Sequence, residues 1–281
     1  MATSTELKEI VKQKYSDIAQ SEPASGTVSN CGCGCNSQAS VPTSCCSPST
    51  DLLEGIQMAE SYEKLDGYVA NADLGLGCGL PTQFAQIKPG DLVVDLGSGA
   101  GNDCFVARAE TGENGRVIGL DFTETMVNRA RQNADALGYT NVEFLLGDIE
   151  TMPLPDNLAD VVVSNCVMNL VPNKQKAFAE TYRILKPGGH FSISDIVLEG
   201  ELPEGLQRDA ELYAGCVSGA IQLVDYLSVV DEAGFLNIRL QKKREIHLPK
   251  EVLRNYLSDA DIQAYREQGK GIFSVTVYAE K

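Results

Sequence analysis

Nine cysteines stand in a chain of 281 residues that carries only two histidines. Thiolates are soft ligands and select soft acceptors. Three of the cysteines lie in widely separated segments: Cys78 in Gly75-Leu76-Gly77-Cys78-Gly79-Leu80, Cys166 in Ser164-Asn165-Cys166-Val167-Met168-Asn169-Leu170, and Cys216 in Tyr213-Ala214-Gly215-Cys216-Val217-Ser218-Gly219. Taken singly, a cysteine is more often a small buried hydrophobe than a ligand. Two of these sit among glycines, which offer few side chains to bury a thiol. Three sulfurs converging from distant segments could make a three-coordinate site with one open face, and their spacing has nothing of the paired C-x-x-C form of a zinc ribbon. The run Cys31, Cys33, Cys35 either gathers a soft metal or belongs to a thiol-rich tail, and Cys45-Cys46 closes the same stretch. Cys104, beside Phe105 and Val106, reads as core. His190 and His247 fall outside any recognisable site segment and read as structural. An oxygen or nitrogen acceptor often needs a base to take its proton, and only Asp195 or a tyrosine could serve.

A second chemical signal is Asp95-Leu96-Gly97-Ser98-Gly99-Ala100-Gly101. Glycines permit a tight turn and a close backbone approach to a ligand. A dinucleotide loop would read G-x-G-x-x-G, but its last glycine is replaced here by Asn102, which disfavours an NAD-dependent oxidoreductase. Asp121, Gly147-Asp148-Ile149 and Asn165 follow at later strand ends, and acidic or amide groups there can meet a nucleoside.

The elements that must position these groups can be read from periodicity. Short β-rich runs at 92–96, 116–121, 142–146, 159–164 and 191–196 are separated by four crossings, mostly helical: Asp103 to Ala109, a helix to Leu137 capped by Thr123, and Lys174 to Leu185 stopped by Gly188-Gly189. Such alternation implies a parallel sheet covered on both faces. Beyond it come a helical stretch around Leu212, a helix from Tyr226 to Ala233, a helical insert from Lys250 to Tyr265, and strands at 235–246 and 272–279. The two late strands would complete seven. Residues 1–50 form an amphipathic helix, Glu6 to Gln20, and a flexible Ser/Thr/Gly/Pro/Cys segment; residues 51–281 form the main domain.

Composition narrows the function. The chain is 43% hydrophobic and 22% charged, with a net charge of −16 from 23 basic and 39 acidic residues. That field repels nucleic acid. There is no run of about 18 apolar residues to span a membrane, and no secretory leader is expected. Many thiols without export signals suit a reducing, cytoplasmic setting.

The glycine loop with its preceding acid, Asp121, Gly147-Asp148-Ile149 and Leu185-Lys186-Pro187-Gly188-Gly189 resemble, in order, the motifs of class I S-adenosylmethionine methyltransferases, over about residues 60–281. The resemblance implies a Rossmann-like, mostly parallel seven-stranded sheet and a cofactor site using Asp95, Gly97, Gly99, Gly101, Asp121, Asp148, Ile149 and Asn165. Leu-Gly-Cys-Gly, Ser-Asn-Cys-Val-x-Asn-Leu and a downstream Gly-Cys then look like an arsenite methyltransferase. This implies that Cys78, Cys166 and Cys216 bind trivalent arsenic, that Cys45 or Cys46 serves redox steps, and that the partners are arsenite, methylated arsenicals and a thiol reductant of the glutathione or thioredoxin class. Gly75-Leu76 stands where many eukaryotic members have tyrosines. A methyltransferase for carbon or oxygen acceptors, or a metalloid-sequestering or sensing protein, are the alternatives.

Overall fold

The structure is a computed structural model that describes residues 4–20, 59–202, 219–248, 250–255, 257–267 and 269–281. Cys31, Cys33, Cys35, Cys45, Cys46, Leu212 and Cys216 lie outside the described residues.

Strands β1 (Leu92–Leu96), β2 (Arg116–Asp121), β3 (Val142–Leu146), β4 (Ala159–Asn165) and β5 (Leu185–Glu199) alternate with helices α2 (Asn102–Thr111), α3 (Glu124–Leu137) and α4 (Lys174–Ile184). Helix α1 (Ser4–Gln20) precedes them; α5 (Leu223–Glu232), β6 (Leu236–Glu245), α6 (Lys250–Leu253), α7 (Asp259–Glu267) and β7 (Gly271–Glu280) follow. The sheet order is β3-β2-β1-β4-β5-β7-β6. The first five strands pair in parallel, and β7 runs antiparallel between β5 and β6. The expected seven-stranded, mostly parallel sheet is therefore present.

Side-chain alternation on the strands builds two apolar layers, because successive residues face opposite sides of a sheet. Val93, Val117, Val161 and Val163 pack with Phe105 and Phe144 on one face. Val94, Ile118 and Val162 pack with Phe178, Phe191, Tyr226 and Phe235 on the other. There Phe178 meets Tyr226 edge-on at 5.6 Å and Phe191 meets Phe235 at 4.8 Å, contacts each worth about 0.5–1.5 kcal/mol beyond buried area.

Local details depart from the sequence expectations. Gly188-Gly189 does not stop α4: the helix ends at Ile184, Leu185 is already extended, and β5 runs on through the glycines. The cause is Pro187, which drives the residue before it out of the helical region. Thr123 occupies the N-cap position of α3 but makes no side-chain cap bond; its N–H donates instead to Asp121 Oδ1 at 2.8 Å. The insert 250–265 is two helices, α6 and α7, rather than one. His190 lies within β5, its Nε2 2.6 Å from the Ala85 carbonyl and its ring 5.0 Å from that of Tyr278, so its role is structural.

Candidate functional site

The glycine loop leaves the carboxyl end of β1 and enters α2. Gly97 has φ +72, and a Cβ there would lie 2.3 Å from a Val167 methyl carbon. Gly99 has φ +52, and a Cβ would meet nothing within 4 Å. The first glycine allows close packing and the second leaves open space beside the loop, which is what backbone contact with a ligand requires. Gly101 supplies the left-handed residue that opens α2.

Beside the loop lies a cavity of about 770 Å³, counting its volume open to solvent, with Gly97, Ser98, Gly99, Asp103, Asp121 and Asn165 in its wall. A second hollow of about 450 Å³ shares Gly97, Asp121 and Val167 with it and continues past Asp148 and Ile149. Asp121 closes β2 with its carboxylate gripped by backbone donors, Gly99 N at 3.0 Å and Thr123 N at 2.8 Å. Burial raises its pKa and these N–H bonds pull it back, leaving it above the usual carboxylate range. A carboxylate so oriented at a strand end can accept from vicinal ribose hydroxyls. Gly97, Gly99, Asp121, Asp148, Ile149 and Asn165 thus line two adjoining hollows; Gly101, expected beside them, borders neither and packs toward Phe105 and Phe144.

Asp95 is 2% exposed and is not part of the cavity wall. One of its oxygens lies 3.2 Å from the Cys104 thiol, which donates to it; Cys104 is core, as its neighbours in the chain suggest. Asp103, on the first turn of α2, is in the wall instead, and both of its oxygens lie 2.9 Å from the Tyr62 hydroxyl. Burial is the first cause of the raised pKa of both acids; Tyr62 and Asn165 temper it in Asp103, which sits at about 6, while Asp95 is pushed higher by burial and then by the charge of Asp103. Among the described residues, neither acid forms an ion pair with a basic side chain. A part-buried carboxylate in the wall without a basic partner among the described residues, as Asp103 is, favours a cationic occupant, since a charge removed from water must be compensated. S-adenosylmethionine, with its sulfonium and ammonium groups, fits that demand.

Helix α1 forms the remaining wall. Tyr15 borders the first cavity, and Lys8 and Val11 border the second. Lys8 Nζ binds Asp148 at 2.6 Å and Glu150 at 2.7 Å, and Arg129 on α3 donates to the Ala19 carbonyl at 3.0 Å. Sequence reasoning read α1 as an amphipathic helix but missed that it borders both hollows, and it missed Tyr62 and Asp103. Asp103 carried a readable signal, an acid directly after the loop. Acids in a first helical turn are ordinary, however, because they complement the helix dipole.

Cys78 and Cys166, 0% and 2% exposed, share one buried cluster with Ile196, Ile246 and Ile272. Cys166 also borders the cavity. It has φ +63, an uncommon conformation for a residue with a Cβ, and its N–H donates to Ser194 O at 2.8 Å. Below lies a buried acid, Asp195, which accepts from Tyr226 Oη at 3.4 Å. Burial first, opposed by the charge of Lys174, holds its pKa at about 7. Neither Asp195 nor Tyr226 borders the cavity.

This strand order, with a glycine loop and an acid-lined cavity at the carboxyl edge of the sheet, defines a class I S-adenosylmethionine-dependent methyltransferase. A family described as a methyltransferase domain matches residues 87–247. The chain is 39% identical over 276 residues to an arsenite methyltransferase of Halobacterium salinarum, a match covering 98% of this chain and 67% of that protein. It is 34% identical over 209 residues to an arsenite methyltransferase of Mus musculus, covering 71% of this chain and 54% of that one. The X-ray structure of an arsenic(III) S-adenosylmethionine methyltransferase from Chlamydomonas reinhardtii matches with a TM-score of 0.62 at 33% identity, over 73% of this chain and 67% of that. The chain belongs to the arsenite methyltransferase family. Its matches span between about half and two thirds of these relatives' lengths.

Proposed function

We propose that the protein transfers the methyl group of S-adenosylmethionine to trivalent arsenic held by the thiolates of Cys78, Cys166 and Cys216. The observation that carries this reading is the meeting of Cys78 and Cys166, remote in sequence, in one buried cluster whose Cys166 borders the cofactor cavity. Cys216 is assigned by its sequence context alone.

When bound, the cofactor supplies an electrophilic methyl group on positively charged sulfur. The residues of the chain do the rest by placement. Asp121 and the glycine loop hold the nucleoside end, Asp103 faces positive charge, and α1 excludes water from the adenosine side. Three thiolates leave arsenic its lone pair, so no proton need be removed before attack. Fixing two reactants at contact can remove roughly 7–11 kcal/mol of barrier in favourable cases. Alkylation raises the formal oxidation state of arsenic by two, so turnover requires a two-electron thiol reductant, of the glutathione or thioredoxin class, and a reducing, cytoplasmic setting. Cys45 or Cys46 is the proposed relay for that step.

The test is mass spectrometry of products after incubation with arsenite, isotopically labelled cofactor and a thiol. Labelled methylarsenicals are expected. Label appearing only in a quinone or phenol acceptor would overturn the reading, and so would tight arsenite binding with no transfer.

A further inference from the structure

We infer that Asn165 is a positioning residue that sets the spacing between the Cys78 and Cys166 sulfurs, an inference that rests on assigning those cysteines to the arsenic site. Its side-chain amide bonds in both senses to one short stretch of chain. Oδ1 accepts from Cys78 N at 3.0 Å and Gly79 N at 3.3 Å, and Nδ2 donates to Gly79 O at 2.8 Å. The Cys78 thiol also lies 3.7 Å from Oδ1. Because Asn165 directly precedes Cys166, these bonds fasten the backbone of one cysteine to that of the other.

Both ends of the link are anchored. Cys166 is held by its bond to Ser194 O. The Cys78 carbonyl accepts from Ser274 Oγ at 2.6 Å and Arg244 Nη2 at 3.3 Å. The amide is held from the cavity side by the Tyr62 hydroxyl and by Asp103 Oδ2 at 3.3 Å. Only a planar group with both a donor and acceptors satisfies this set. Aspartate would lose the bond to Gly79 O and set a carboxylate against Asp103. The chain also keeps space for the amide: a Cβ on Gly77 would lie 2.6 Å from Asn165 Nδ2. Ligand geometry must be held to within about half an ångström for a productive site.

The test uses phenylarsine oxide, which takes two thiols and releases one water to form a dithiolate. The background is full-length protein with serine at positions 31, 33, 35, 45, 46 and 216, so that the probe must bridge Cys78 and Cys166. Calorimetry should show at least a tenfold loss of probe affinity in Asn165→Ala and in Gly77→Ala, about 1.4 kcal/mol. Because Asn165 and Gly77 also border the cofactor cavity, S-adenosylmethionine affinity should fall as well, but by a clearly smaller factor than probe affinity in both. Undiminished probe affinity in either variant overturns the inference, as does an equal loss of probe and cofactor affinity, which would make Asn165 a general structural or cofactor group. If Asn165→Ala does not fold, Gly77→Ala decides alone. Undiminished probe affinity in Cys78→Ser and Cys166→Ser would instead overturn the arsenic-site assignment itself.

Discussion

Asp121 has both oxygens occupied by backbone donors before any ligand arrives, so it is preorganised to receive hydroxyls rather than free to reorient. Asp121→Ala should weaken S-adenosylmethionine binding by about 1–3 kcal/mol, the usual cost of losing hydrogen bonds to a charged group; calorimetry giving unchanged affinity would place the ribose elsewhere. The cysteines make a different demand. Serine has nearly the shape of cysteine without its soft thiolate, so Cys78→Ser, Cys166→Ser and Cys216→Ser should each lower the sulfur count around bound arsenic in X-ray absorption and lower activity on arsenite. Full activity in one of them would remove that residue from the site. Cys104→Ser, by contrast, should leave the arsenic–sulfur count at its wild-type value, since that thiol faces Asp95 in the core.

At the scale of elements, α1 and the segment after it carry the tests. The Lys8 ammonium sits between Asp148 and Glu150, which flank the cavity-lining Ile149. Burial lowers the lysine pKa, but the bonds to the two acids outweigh it and raise it. Lys8→Glu would set three acids together and loosen the helix from the cavity. Partly exposed pairs of this kind are worth up to about 1 kcal/mol each, so the cofactor KM should rise roughly two- to tenfold. The difference should shrink in 0.5 M salt, where the screening length is only a few ångströms; a salt-independent change would mean that packing rather than charge holds α1. Downstream of α1, the Cys45→Ser/Cys46→Ser double mutant should lose turnover on arsenite while still binding S-adenosylmethionine and methylating a preformed monomethylarsenic thiol complex. A long connecting segment adds little closure entropy, so its thiols can return to the body. Wild-type rates on arsenite would reduce the segment to a tether.

For the molecule as a whole, the buried acids tie stability and cofactor binding to pH in opposite directions. Asp103 and Asp195 have folded pKa values of about 6 and 7, above the 3.8 of an unperturbed aspartate. Between pH 7 and 5 the folded state therefore binds more protons than the unfolded state, and stability without ligand rises as pH falls. Carboxylates with lowered values, such as Glu180, act against this only below their ordinary range. The melting temperature without cofactor should thus rise from pH 7.5 to 5.5, while affinity for the cationic cofactor falls as Asp103 is protonated. Asp103→Asn should flatten the affinity profile. A melting temperature that falls steadily over the same interval would contradict the burial of these acids.

Periodicity and turn chemistry were enough to read the strand–helix alternation, the glycine loop and the acid ending β2, because each depends on residues adjacent in the chain. The cysteine segments could be marked as candidates for chemistry for a similar reason, since glycine neighbours and strand-end placement are local facts. What the chain could not reveal was which side chains become neighbours across long separations. Tyr62 and Asp103 look ordinary where they stand, and they matter because the fold carries a loop before β1 onto the start of α2. Lys8 is one lysine on an amphipathic helix until α1 is laid against the end of β3. Asp95 reads from its motif as the acid beside the cofactor, yet packing turns it to Cys104 and leaves Asp103 in the wall. The amide of Asn165 acquires its four-way bonding only when Cys78 and Cys166 are brought together. Those outcomes belong to tertiary structure because burial and hydrogen-bond partnership are properties of the assembled sheet, and no local pattern in the chain encodes them.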